Sequence, residues 1–197
     1  MRSVCLIALL SAAIGTTYSQ SVAPVYAQQR ASAAPAVNPD AKVIADFKAK
    51  VDKYADTRKM LAGHSTPLKK TDDPAAITAA ERSLAEKIRQ TRPGAKQGEF
   101  FTPETVAVFR RLMKFPLKGP EGAENREAIK DDVPTKVPFT VNAEYPKEET
   151  VSTVAPDVLL NLPALPDDVQ YRFAGRNMIL YDARANLIID YFPNAIP

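Results

Sequence analysis

Cysteine is all but missing from this chain. The 197 residues hold one, Cys5, and it stands in the opening segment. The rest of the chain has no disulfide, no thiol nucleophile and no thiolate metal ligand, so burial alone must stabilise it. Histidine is as scarce: His64 is the single one, and with no thiolate beside it a tetrahedral zinc site cannot be assembled in the usual way. Seven glycines are few. None falls in a phosphate-cradling loop, and the G-x-S-x-G turn of serine hydrolases is absent. After the opening segment, no stretch has the run of about 20 apolar residues needed to cross a bilayer. Carboxylates remain as metal ligands, but Asp131-Asp132 and Asp167-Asp168 lack the spacing of a calcium-binding loop, and Asp72-Asp73 reads as a helix cap. No metal and no cofactor are expected.

What is present begins with an export signal. Arg2 supplies a positive start, Val4 to Ile14 is an uncharged, mostly apolar run, and Val25-Tyr26-Ala27 offers small residues at the positions a signal peptidase reads. Residues 1–27 are therefore expected to be a signal peptide, and the protein to be exported, either periplasmic or secreted. Residues 28–38 are small, polar and proline-bearing, the composition of a flexible leader.

Residues 39–131 are predicted to form a helical lobe. Asn38-Pro39-Asp40 is a start signal, and Ile44, Phe47, Val51, Tyr54 and Leu61 form one apolar stripe as far as about Ala62, with Gly63 as terminator. A second helix starts at Asp73-Pro74 on Ile77, Ala80, Leu84 and Ile88 and ends before Pro93-Gly94. A third starts at Thr102-Pro103-Glu104 on Val106, Phe109, Leu112 and Met113 and is closed by Pro116. A short fourth covers Glu121 to Lys130. Phe100 and Phe101 precede the third helix, where one packs onto it as a staple.

Residues 132–197 read as proline-rich and extended, then as a β-meander. Val137, Phe139 and Val141 alternate as an edge or irregular strand among prolines. Pro156 to Asn161 forms one or two helical turns. Val169 to Phe173, Met178 to Tyr181 and Leu187 to Phe192 are three strands joined by turns at Gly175 to Asn177 and Asp182 to Asn186. A lone three-stranded sheet needs a cover, and the helices are the available one. The expected fold is α+β: an N-terminal helical hairpin or three-helix bundle packed on a small C-terminal antiparallel β-meander.

The runs GEFFTPETVAVFRRLM, VNAEYP and LPALPDDVQYRFAGRNMILYDARANLIIDYFPNAIP resemble a group of uncharacterised exported bacterial proteins over most of the chain. That resemblance implies export and no activity. The terminal hairpin is also similar to the end of periplasmic nickel/cobalt-homeostasis proteins, over about the last 25 residues only, and hairpins of this kind recur in unrelated proteins.

Charge divides along the same boundary. Asp40 to Lys118 carries 17 Lys and Arg against 10 Asp and Glu, and Gly119 to Pro197 carries 7 against 13, so the halves stand at +7 and −6. Either they neutralise each other, or the basic helices meet an anionic partner. The candidate ligand-binding residues are Arg110, Arg111, Lys114 and Lys118 on and after the third helix, and Arg82 and Arg89 on one face of the second, with Arg92 and Lys96 beyond. The alternative is a solvated surface with local pairs such as Glu86 with Arg89. His64 could act as a base, but at a helix end it satisfies carbonyls and the dipole. Asp182 and Asp190, on neighbouring extended segments, are the one carboxylate pair that could serve a hydrolase; otherwise Asp182 opens a turn and Asp190 takes the wet face of its strand. The leading expectation is a non-enzymatic envelope module that binds an envelope protein or an anionic envelope polymer, and no nucleic acid, through its basic helices. A small carboxylate-dependent hydrolase and a purely structural envelope protein are the alternatives.

Overall fold

The Asn38 side chain accepts the backbone N–H of Asp40 at 3.0 Å, which starts α1 (Pro39–Gly63) where the sequence signal lies. The computed structural model describes residues 38–63, 72–131, 139–146, 154 and 156–196. The expected signal peptide and leader, and His64, lie outside the described residues. Asp73 caps α2 (Pro74–Thr91) by accepting from Ala75 at 3.0 Å. Thr102 caps α3 (Pro103–Lys114) by accepting from Thr105 at 3.3 Å. Both helices place proline in the first turn, where its missing N–H costs nothing. Two more helices follow, α4 (Gly119–Asp131) and α5 (Pro156–Asn161).

The meander consists of β1 (Val169–Ala174), β2 (Asn177–Asp182) and β3 (Leu187–Phe192), antiparallel and in the order β1-β2-β3. Gly175 and Asn186, both at positive φ (58° and 51°), make the two turns that the meander requires. The fold is therefore α+β, with helices at the N-terminal side and a meander at the C-terminal side.

One hydrophobic core joins the layers. Phe47 and Val51 of α1, Leu84 and Ile88 of α2, and Phe109 and Met113 of α3 bury against Phe173, Met178, Leu180 and Phe192 of the sheet. Its centre is aromatic: Phe101 lies 5.8 Å from Phe47, 5.5 Å from Phe109 and 4.9 Å from Phe192, ring centre to ring centre. Offset and edge-on pairs of this kind add about 0.5–1.5 kcal/mol each to the burial itself. α1 packs against both α2 and α3.

Two expectations need correcting. Ile77, assigned to the inner stripe of α2, is 39 % exposed; the buried residues of that helix, Leu84, Ala85 and Ile88, all lie in its second half. The alternating strand through Val137, Phe139 and Val141 is absent over its described part. Val141 and Asn142 form a turn, with Asn142 at φ 65°. The segment pairs instead with the outer edge of β3, where Asn142 donates to the Ile188 carbonyl (2.8 Å) and Ile188 donates back to that of Ala143 (2.9 Å). Tyr145 thereby covers the second face of the sheet with Ile179, Ile188, Tyr181 and Tyr191.

Candidate anion-binding cleft

Lys50, Lys53, Tyr54 and Thr57 recur along α1 at the spacing that places side chains on one helical face. Ile88, Thr91 and Arg92 do the same at the end of α2. The two faces, with Glu99 and Phe100 from the connection into α3, enclose a cleft of about 340 Å³ lined mainly by apolar atoms. Such a volume lies at the small end of the range for ligand pockets.

Arg92 is held firmly in it. Its guanidinium lies 5.3 Å from the ring centres of both Tyr54 and Phe100, a cation–π arrangement. One terminal nitrogen pairs with Glu99 at 2.7 Å and the other donates to Asn142 at 3.4 Å, so that among the described residues two of its five N–H donors are engaged. Lys50 donates to the Glu99 carbonyl at 2.9 Å. Lys53 is exposed, and its ammonium group has no partner among the described residues.

Beneath the cleft, α1 is bolted to the sheet. Arg58 is 3 % exposed. It donates to Asp168 and to the Asp167 carbonyl, both at 2.7 Å, and so fixes the Asp167-Asp168 turn before β1. Its Nε stands 3.7 Å from Asp182, too far for a hydrogen bond, and is buried without a partner. Tyr54 donates to Asp182 at 2.7 Å, and Asp182 also accepts from Arg184 and Ala185 at 2.9 and 3.0 Å. Burial pushes the Asp182 carboxyl up, against the lowering effect of Tyr54 and Arg58. Burial, and then the charge of Asp182, push the Tyr54 hydroxyl well above its ordinary value, so it remains a donor.

Asp190 is fully buried, not on a wet face. The pairing of β2 with β3 shifts by one residue between Leu180 and Tyr181. Such a slip carries every later side chain to the opposite face, and Asp190 turns toward the helices, opposite Leu180. There it accepts the backbone N–H groups of Gly98, Phe100, Phe101 and Tyr191 at 2.8–2.9 Å. Desolvation outweighs these four donors and raises its carboxyl. Asp182 and Asp190 are thus separate internal anchors, each with its own donors, and neither faces an open site.

The basic residues singled out in the sequence are dispersed. Arg89 donates to the Asn142 carbonyl at 3.0 Å and lies 3.5 Å from Glu144 and 3.6 Å from Glu86. Arg82 lines a smaller cleft of about 160 Å³ beside Glu81 and Glu144. Arg110 donates to the Pro193 carbonyl at 3.1 Å, and Arg111 pairs with Asp40 at 2.5 Å. Lys114 and Lys118 are exposed without partners among the described residues, and Phe115 beside them is 85 % exposed. Lys50, Lys53 and Arg58 escaped the sequence reading, although the i, i+3, i+4, i+7 spacing of Lys50, Lys53, Tyr54 and Thr57 was there to be read.

Among the described residues, no group of three or more His, Cys, Asp or Glu stands together as a metal site, and no helix is long and apolar enough to cross a membrane. Comparison of the chain with protein-family models, with curated proteins and with solved structures returns no match.

Proposed function

We propose that this protein is an exported, non-enzymatic envelope module that binds an envelope protein or an anionic envelope polymer through its basic helical layer. The observation that carries this reading is the part of that layer's charge that no ion pair among the described residues neutralises. Arg58 and Arg89 reach carboxylates of the second half, whereas Lys50, Lys53, Arg82, Arg110, Lys114 and Lys118 pair with no carboxylate among the described residues. Positive charge left facing solvent steers and holds anionic partners. Phe115, exposed between two such lysines, adds an apolar contact of the kind interfaces bury. The hydrolase reading depends on Asp182 and Asp190, and their burial beneath the helices argues for scaffold roles.

Binding of the purified protein to envelope fractions, measured at about 20 mM and about 500 mM salt, tests the proposal, since the higher concentration screens charges beyond a few ångströms. Retention at low salt, release at high salt and at least tenfold weaker binding by the double variant Lys114→Glu/Lys118→Glu are expected. Failure to retain any envelope component at low salt would remove the electrostatic basis of the reading.

A further inference from the structure

We infer that the cleft between α1 and α2 is a binding site for a small amphiphilic anion, its apolar body lying in the cleft and its single anionic head meeting Arg92, Lys50 and Lys53. The inference rests on the reading of the helical layer as anion-binding, and gives that reading a defined pocket and ligand class. Three features of the cleft support it.

Its lining is mainly apolar, yet Lys50, Lys53, Arg58 and Arg92 line it with Glu99 as the single carboxylate among its lining residues, a net charge of +3 that Asp168 and Asp182, facing Arg58 from outside the lining, reduce to +1. An uncharged apolar ligand would leave the Lys50 and Lys53 ammonium groups without an anionic partner, and a small inorganic anion would leave the apolar walls uncovered. Arg92, secondly, is already immobilised on the Tyr54 and Phe100 rings. A guanidinium fixed in advance loses little freedom on binding and can offer its remaining N–H donors to a carboxylate or phosphate. Lastly, the unpaired Lys53 ammonium stands at the mouth, where it costs no internal bond to engage a ligand.

Titration of the full-length protein with hexyl phosphate, hexanoate, hexanol and inorganic phosphate, followed by amide NMR, tests the site. One saturable site is expected for hexyl phosphate or hexanoate, and whichever binds tighter identifies the preferred head group. Shifts should centre on residues 50–57, 88–92 and 99–100, and hexanol and inorganic phosphate should bind at least tenfold more weakly. Lys53→Glu, at an exposed position, and Thr91→Trp, which fills the cleft, should each weaken binding at least tenfold with unchanged melting temperature. The Lys114→Glu/Lys118→Glu variant should bind as the parent does. Equal binding of hexanol, equal binding of inorganic phosphate, or indifference to both cleft substitutions overturns the inference. If no amphiphile binds while envelope retention remains salt-sensitive, the cleft assignment fails alone. If retention is also lacking, both readings fail.

Discussion

Asp190 is an acceptor surrounded by donors. Its two oxygens take four backbone N–H groups, three of them from the connection that delivers Phe100 and Phe101 to the core. An asparagine keeps one oxygen and replaces the other with a donor, so two buried N–H groups lose their partner. Each such loss costs about 1–3 kcal/mol, and Asp190→Asn is expected to lower stability in denaturant unfolding by about 2–5 kcal/mol. The pH dependence has a definite sign. Burial lifts the folded Asp190 carboxyl above its ordinary value, so the folded state holds the proton more tightly than the unfolded one. The contribution of this group is then complete below about pH 4, the unfolded carboxylate range, and is lost as pH rises through the raised value. The gap between the parent and Asp190→Asn should accordingly be wider at pH 4 than at pH 7, and a gap that widens with pH would show that the four donors outweigh desolvation at this carboxyl. At this scale the sequence was a poor guide. Strand alternation places Asp190 in water, and only a one-residue slip in the pairing brings it inside.

Among the elements, α4 depends most on a single small residue. A Cβ on Gly122 would stand 2.3 Å from the carbonyl carbon of Leu117 and 2.7 Å from its oxygen. Those are backbone atoms that cannot swing aside. The turn after α3 and the start of α4 are further tied by Asn125, which donates to the Pro116 carbonyl at 3.1 Å, and by Arg126, which donates to that of Leu117. Overpacking at such a contact costs about 1–3 kcal/mol. Gly122→Ala should lower the unfolding free energy measured in urea by that amount despite the better helix propensity of alanine, and an unchanged or raised midpoint would show that α4 is not seated there. Helix starts were the most legible elements, because Asn38, Asp73 and Thr102 act through hydrogen bonds only two or three residues away. The meander was legible for a similar reason: its turns and alternation are local. The segment from Phe139 to Tyr145 was not, because its pairing partner, β3, lies more than 40 residues further on.

For the whole molecule, the opposed charges of the two halves raise the question of whether they hold each other. Arg58 with Asp168 and Asp182, and Arg89 with Glu144, are cross-half pairs, and the first of these is largely shielded from salt by its burial. The halves are joined chiefly by a shared apolar core. The melting temperature should therefore move by only a few degrees between about 20 mM and 500 mM salt, the scale of about 1 kcal/mol in a domain of this size. A collapse of stability with salt would favour mutual neutralisation over an outside partner. By itself, the sequence determined where the helices and the three strands of the meander begin, which residues fill most of the core and how charge divides, since all three follow from spacing and composition along the chain. The tertiary structure alone decided that Asp182 and Asp190 are internal anchors, that the conspicuous arginines are scattered, and that Lys50, Lys53 and Arg92 share one cleft. Those outcomes depend on which faces meet across the core, and no local pattern encodes the register and packing that bring them together.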